Sequence, residues 1–366
     1  MRELDVVVLG LGVHGAATAL ELAQRGLRVC GLDMREPPHE HGSSNGRTRI
    51  IREAYYEHPL FVPLVQRAYE LWSDMEELTG TVLYRRTGGL MAGPRDGELV
   101  SGALASAREH NLEHELLDAD TMRRRFPALL PVPDHAGVFE PRAGMLLVDP
   151  CIRTMLALAR GYGAELRPGS RAASWGVQRG DVVVETSAGT LRARQLVIAA
   201  GAWLNPVLAS EIADAPIQLP LTIERQVPHW FRPVHGSHAF HASVCPVTML
   251  EYDRGRMIYT LPDIGHGVKA GIHHEGDIVT ADRYDDTISL AEEARLRGLL
   301  EAWMPGSTET VLDARVCLYT NTPDHHFIID RHPAHEQVMI VSACSGHGFK
   351  FAPAIAEMVA DKLVTS

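Results

Sequence analysis

An α/β (α+β) fold, in which a strand–turn–helix–strand unit of the doubly wound kind is interrupted by a β-rich insertion, is what this sequence of 366 residues predicts. Three observations carry the prediction. An apolar run, a glycine turn, an amphipathic stretch and a second apolar run follow one another between Asp5 and Asp33. Buried-type apolar runs that end at glycine return at Leu196–Gly201 and around Val338–Gly348. Between these returns, residues 216–280 carry strand-like runs.

Each part of the first unit has a physical role. Val6–Leu9 is a continuous apolar run of the kind that forms a parallel strand covered on both faces. Gly10-Leu11-Gly12-Val13-His14-Gly15 follows, then Ala16, Ala19, Leu20, Leu22 and Ala23 at helical spacing, a stop at Gly26, and a second strand Val29–Leu32. Gly10 permits the tight turn, Gly12 lets backbone approach a pyrophosphate, and Gly15 lets helix and strand pack closely. The helix N-terminus offers free N–H groups and a partial positive charge to phosphates. Asp33, 18 residues beyond Gly15, can accept from a ribose hydroxyl. The unit therefore reads as a Rossmann-like dinucleotide site.

At this length one core rarely suffices, so two domains, or a nucleotide domain with a large insertion, are expected. A formal net charge of −11 without a basic tail argues against nucleic acid as a partner. No apolar stretch approaches the ~20 residues of a membrane span, and the run at Val6 leads into a glycine turn rather than a signal-peptide cleavage site. The five cysteines are scattered with no CxxC, which suits a reducing, cytoplasmic compartment and offers no metal framework. The 19 histidines show no ligand spacing, and the pairs His273-His274 and His325-His326 would point to opposite faces if they lay on strands.

After Asp33 a loop of Pro, His, Gly and Ser, Glu36–Gly46, is placed to cover a cofactor. Arg49 and Arg52, three apart, would share a face on a helical turn and converge on one anion. Helices are expected at Leu60–Leu78, Leu99–His110, Asp118–Phe126, Asp149–Arg160, Ser289–Trp303 and Pro353–Leu363. Strands are expected at Tyr84–Met91, Asp181–Thr186, Leu191–Arg194, Gln195–Ala200, Val247–Tyr252, Met257–Leu261, Val268–Ile272, Phe327–Ile329 and Val338–Val341, with Gly137–Leu147 extended. No internal repeat is present. The division that results is a discontinuous nucleotide domain, residues 1–80, 148–215 and 315–366, and a substrate domain with an antiparallel sheet, residues 81–147 and 216–314. The first unit alone does not separate NAD from FAD. The interruption favours FAD, since the common nicotinamide arrangement has a second βαβ half soon after the first.

Several blocks carry a specific resemblance. His41-Gly42-Ser43-Ser44 with Thr48-Arg49-Ile50-Ile51-Arg52, Ala200-Gly201-Ala202-Trp203, Cys317-Leu318-Tyr319-Thr320 with Thr322-Pro323-Asp324, Phe327–Asp330, and Ser345-Gly346-His347-Gly348-Phe349-Lys350-Phe351 resemble the monomeric sarcosine oxidase and N-methyltryptophan oxidase family. That family lies in the wider group of glycine oxidase and D-amino-acid oxidase. With the N-terminal turn, the blocks run from residue 5 to residue 363. The resemblance implies a flavoprotein that oxidises the C–N bond of a secondary or N-methylated amino acid to an imine, passing a hydride equivalent to FAD and two electrons to O2 to give hydrogen peroxide. It also implies a monomer.

By the same resemblance, Cys317 is the residue that bonds covalently to the flavin ring, and Gly42, Ser43, Gly201, Trp203, Gly346 and Gly348 border the cofactor. Arg52 and Lys350 form a cationic pair for the substrate carboxylate, which would orient the Cα–N bond. Lys269 sits over the opposite flavin face and activates oxygen, as a fixed positive charge stabilises developing superoxide. His273 lies near the substrate amine, Tyr259 and Tyr319 line the pocket, and Arg49 lies near the flavin ring. The chain departs from the family at Asn45, where a histidine is common, at Arg47, which replaces an acid, and at Glu53, where a histidine is usual. Asn45 and Arg47 are expected near the flavin and bear on covalent attachment; Glu53 bears on the entry to the carboxylate site. The segment between Tyr259 and Lys269 is one residue shorter than the family pattern, which bears on pocket contour. The open alternatives are an oxidase or dehydrogenase of a cyclic imino acid (proline, pipecolate) or glycine on the same fold, and a flavin-binding protein without turnover.

Overall fold

The computed structural model describes residues 4–212, 217–234 and 238–364. Two eight-stranded sheets organise it. In the first, Leu4–Leu9 lies centrally, parallel to Val29–Leu32 on one side and Gly189–Ile198 on the other, and Glu165–Arg167 extends the edge beyond Val29–Leu32. His335–Ser342 adds a further parallel partner to Gly189–Ile198, and the hairpin strands Ala172–Gln178 and Asp181–Thr186 join antiparallel. Val6, Val7 and Val8 are fully buried, as their unbroken apolar run requires. The helix Val13–Gln24 packs between Val148–Gly161 and Ala352–Val364, so the last helix of the chain closes over the first.

The second sheet runs in the order Thr310–Ala314, His229–Arg232, Val268–His273, Arg256–Leu261, Val247–Asp253, Gly89–Pro94, His135–Glu140, Glu115–Asp118. It is antiparallel except at one join, where Val247–Asp253 runs parallel to Gly89–Pro94. That join departs from the fully antiparallel expectation, and it arises because the sheet is assembled from two chain segments that are far apart in sequence. The helix Leu290–Trp303 covers part of this sheet and opens with a capping box between Ser289 and Glu292. No helix among the described residues is long and apolar enough to cross a membrane.

Three expectations change. The extended run Tyr84–Met91 breaks at Gly88, whose φ of +72° splits it into Tyr84–Arg86 and Gly89–Pro94. Arg49 and Arg52 do not share a helical face, because Thr48–Ile51 is a strand, antiparallel to Gly144–Leu147. Residues three apart on a strand point to opposite sides, so the two arginines reach different partners. His273 and His274 are not splayed either. The strand ends at His273, His274 and Glu275 take left-handed φ values of 61° and 68°, and the two imidazoles meet edge to face at 4.4 Å.

Candidate active site

Every sequence-predicted site residue except Gly15 lines one continuous cavity between the two large sheets. At its first end is the glycine turn. Gly10 has φ +92°, and a Cβ there would sit 2.5 Å from the Ala199 carbonyl oxygen. Gly15 faces the turn, where its own Cβ would lie 1.8 Å from the Gly10 oxygen, so its part is close packing. Gly12 caps the helix with no side chain of its own, and the Val13 N–H donates to Ser44 Oγ at 3.2 Å, which pins the covering loop to the helix N-terminus. Asp33 accepts from the N–H groups of Leu11 at 2.8 Å and Arg35 at 2.9 Å. Burial works against its charge, but His39 and these two amides outweigh burial and hold the carboxyl below its usual range.

Beyond the turn lies a cluster around Cys317. Arg49 Nη2 donates to the Ser43 carbonyl at 2.7 Å and approaches Cys317 Sγ at 3.6 Å. Burial raises the Cys317 thiol while the Arg49 charge lowers it, with a net rise. Lys269, 3% exposed, donates to the carbonyls of Gly46 at 2.8 Å and Thr48 at 2.7 Å and stands over the Trp230 ring. Its pKa is pushed well below the ordinary lysine value, first by burial and then by Arg49. Asn45 and Arg47 are absent from the cavity wall. The Asn45 amide donates to the carbonyls of Glu40, Gly42 and Val316, and Arg47 pairs with Asp313 over Trp230. Both departures therefore serve the loop behind the site.

At the far end Arg52 and Lys350 meet. Arg52, 2% exposed, donates from Nη1 to the Ala54 carbonyl at 2.9 Å and from Nη2 to both oxygens of Glu57 at 2.6 and 2.7 Å. Lys350 Nζ donates to the His347 carbonyl at 2.6 Å and to Tyr55 Oη at 2.9 Å. Tyr55 Oη lies 2.8 Å from His347 Nδ1, and His347 Nε2 lies 3.1 Å from the His325 carbonyl. The Lys350 ammonium can only donate and a carbonyl only accept, so with Lys350 protonated the hydroxyl donates to Nδ1 and the imidazole proton sits on Nε2. Burial, with Arg52 adding to it, lowers Lys350 to about 7. His273 is pushed well below the usual imidazole range by burial and then by its cationic and imidazole neighbours, so it is neutral. Gly346, at φ +75°, lets the turn approach Tyr319 and His273: a Cβ there would fall 2.8 Å from the Tyr319 ring and 3.1 Å from His273 Cε1. Tyr259 crosses to Gly271 on the next strand, where only a glycine leaves room for its ring.

Three wall residues escape a reading of the sequence. Glu57 is the partner of Arg52, and the only hint is an acid five residues after it. His347 lies in the stretch Ser345–Phe351, where its residue type alone assigns it no role. His14, inside the glycine turn, bonds the Ala343 carbonyl at 2.6 Å through Nε2, and burial lowers it to about 4. Glu53, in contrast, turns away from the cavity to pair with Arg142.

The arrangement joins a glycine-lined phosphate cradle, a thiol beside a guanidinium, and a two-cation pocket with a neutral imidazole. The FAD dependent oxidoreductase family model matches residues 5–362. Monomeric sarcosine oxidase of Streptomyces avermitilis is 40% identical over 99% of this chain and 94% of that protein. N-methyl-L-tryptophan oxidase of Salmonella dublin is 32% identical over 98% and 94%. Among solved structures, L-proline dehydrogenase from P. horikoshii superposes with a TM-score of 0.86 at 23% identity, covering 99% of this chain and 93% of that one, a likeness of fold. The residues at the first end fit an FAD: Gly10 and Gly15 close a turn where a Cβ would run into backbone, and Gly12, the N-cap of the helix behind it, lines the cavity with backbone alone. The chain belongs to the FAD dependent oxidoreductase family, in the branch that holds monomeric sarcosine oxidase and N-methyl-L-tryptophan oxidase, and is a flavin-dependent oxidase of amino acids.

Proposed function

We propose that the chain oxidises the C–N bond of a small secondary or N-methylated amino acid with O2 as electron acceptor, releasing hydrogen peroxide. The observation that carries this reading is the meeting of Arg52 and Lys350 with neutral His273 at the end of the cavity that begins at the glycine turn. Bound FAD supplies the hydride acceptor. The protein's own residues do the rest. Arg52 and Lys350 hold the substrate carboxylate, with Glu57 ceding part of the guanidinium to it. His273, uncharged, accepts from the substrate amine without repelling it. Tyr259 and Tyr319 wall the pocket and exclude water. Under this reading residues 1–80, 148–215 and 315–366 serve the cofactor, and 81–147 and 216–314 serve the substrate; the first sheet draws its strands from the former set and the second from the latter. The five free cysteines suit a reducing, cytoplasmic compartment.

The test is anaerobic mixing of the purified yellow protein with sarcosine and with L-proline. Bleaching by sarcosine supports the reading; bleaching by L-proline alone moves the substrate to cyclic imino acids, and no bleaching by any secondary amino acid sinks it.

Cys317 is part of the proposal as the point of covalent attachment, supported by Arg49 beside its sulfur and by the loop carbonyl of Ser43 at 3.7 Å. Acid precipitation is expected to leave the yellow colour in the pellet, and Cys317→Ser is expected to release it to the supernatant while the enzyme still binds FAD. Colour in the wild-type supernatant would remove the link.

Lys350 makes carboxylate binding depend on pH. Its ammonium is present below about 7 and lost as pH rises through that value. The affinity for propionate, which has a carboxylate and no amine, should therefore fall by about tenfold between pH 6 and 8.5, as one charge-assisted contact of ~1.4 kcal/mol is lost. Titration calorimetry across that range checks it, and Lys350→Met should flatten the profile.

A further inference from the structure

Residues outside the cavity wall hold the backbone that follows Arg52. Past Ile51 the chain leaves its ladder with Gly144–Leu147, and the amides that follow need other acceptors. Glu140, 1% exposed at the end of the strand His135–Glu140, supplies them. Its Oε1 accepts from the Glu53 N–H at 2.8 Å, and its Oε2 accepts from Glu53 at 2.9 Å and from Ala54 at 2.8 Å. The Ala54 carbonyl, on the other side of the same residue, accepts from Arg52 Nη1 at 2.9 Å. One residue farther on, Tyr55 is held through its carbonyl by the Ser106 hydroxyl and through its phenol by Lys350. A buried carboxylate thus anchors the amides of Glu53 and Ala54, immediately before the Ala54 carbonyl that Arg52 uses and the Tyr55 side chain that Lys350 uses.

We infer that Glu140 is a positioning residue for the carboxylate clamp: by accepting from the amides of Glu53 and Ala54 it sets the loop that aims Arg52 and supports Lys350. The inference rests on the clamp reading above. An amide in place of the carboxylate keeps the volume but turns one acceptor into a donor that faces a backbone N–H, so Glu140→Gln must shift the loop or leave donors unpaired. Burial of the side chain raises its pKa to about 7, with the two amides opposing. The two amides are the main groups that favour its ionised form against burial.

The test compares wild type, Glu140→Gln and Arg52→Ala as flavin-loaded proteins, by calorimetric titration with propionate and by steady-state kinetics with the amino-acid substrate. Glu140→Gln is expected to weaken propionate about tenfold and raise KM by a similar factor, with kcat within about twofold and flavin content unchanged, as loss of a binding interaction shared by ground and transition states requires. A fall in kcat and Tm with propionate affinity unmoved would show a merely structural acid and overturn the inference. If Glu140→Gln binds propionate normally while Arg52→Ala does not, the clamp stands and the role of Glu140 falls. If neither variant loses propionate, both fall. Glu140→Asp, which keeps the charge and withdraws it by one methylene, serves where the glutamine variant does not fold; an intermediate loss of propionate supports the inference and wild-type affinity overturns it.

Discussion

Replacement of Lys269 by methionine is expected to slow the reaction of substrate-reduced enzyme with O2 by about 10²–10³-fold, the scale of removing one preorganised electrostatic contact from a water-excluded site. Lys269 spends two of its three donors on the carbonyls of Gly46 and Thr48 and keeps its remaining N–H and its charge for the cavity it lines. Methionine keeps a side chain of similar length, and its thioether suits an aromatic neighbour such as Trp230, while it deletes the charge. Anaerobic reduction by substrate should change little, because the carboxylate clamp is built by other residues. The direction of the pKa shift adds a sign. Burial and Arg49 depress Lys269, so its charge is lost as pH rises, and the oxygen step of the wild type should slow toward alkaline pH while the methionine variant stays flat. Stopped-flow mixing of reduced protein with aerated buffer measures both, and equal rates for the two proteins would remove Lys269 from the oxygen step.

Arg52→Ala should raise KM for the amino-acid substrate about 100-fold, roughly 3 kcal/mol, with a smaller effect on kcat and flavin still bound. Arg52 offers the pocket a planar guanidinium, whose Nη2 already holds both carboxylate oxygens of Glu57. Its removal also strands Glu57 in the interior, and breaking a buried pair from one side costs about 3–5 kcal/mol of stability. A lowered Tm is therefore part of the expectation. Arg52→Lys separates the two effects. It keeps a charge beside Glu57 but loses the fork, so it should recover most of the Tm and little of the KM. Steady-state kinetics with both variants, alongside thermal melts, checks the pair of outcomes. A KM near wild type in either would mean that the substrate carboxylate binds elsewhere.

Much of the fold could be read along the chain because it is built from local signals. Val6–Leu9 is apolar throughout since both faces of a central parallel strand are covered, and the glycine turn is written out because no side chain fits at Gly10 or Gly15. The capping box at Ser289 and Glu292 marks a helix start by residue type alone. Gly88 shows the limit: the stretch Tyr84–Met91 was compatible with one strand, and only the pairing of its two halves with different sheets reveals the break. The same holds for His274, whose left-handed backbone is not encoded in residue type.

The site divides on the same line. Sequence alone marked out the dinucleotide turn and, through resemblance to a known family, put forward Cys317, Lys269, Arg52 and Lys350 as site residues, because such chemistry demands particular residue types. Tertiary structure decided which of them meet and in what charge state. Glu57 and Glu140 are ordinary acids until the loop folds, when one takes the Arg52 guanidinium and the other takes the amides behind it. Asn45 and Arg47 stand next to site residues in the chain yet bond away from the cavity. The physical reason is that hydrogen-bond direction and burial depend on groups brought together from distant segments, as Glu140 is to Ala54 and Lys350 to Tyr55, and no local pattern carries that information.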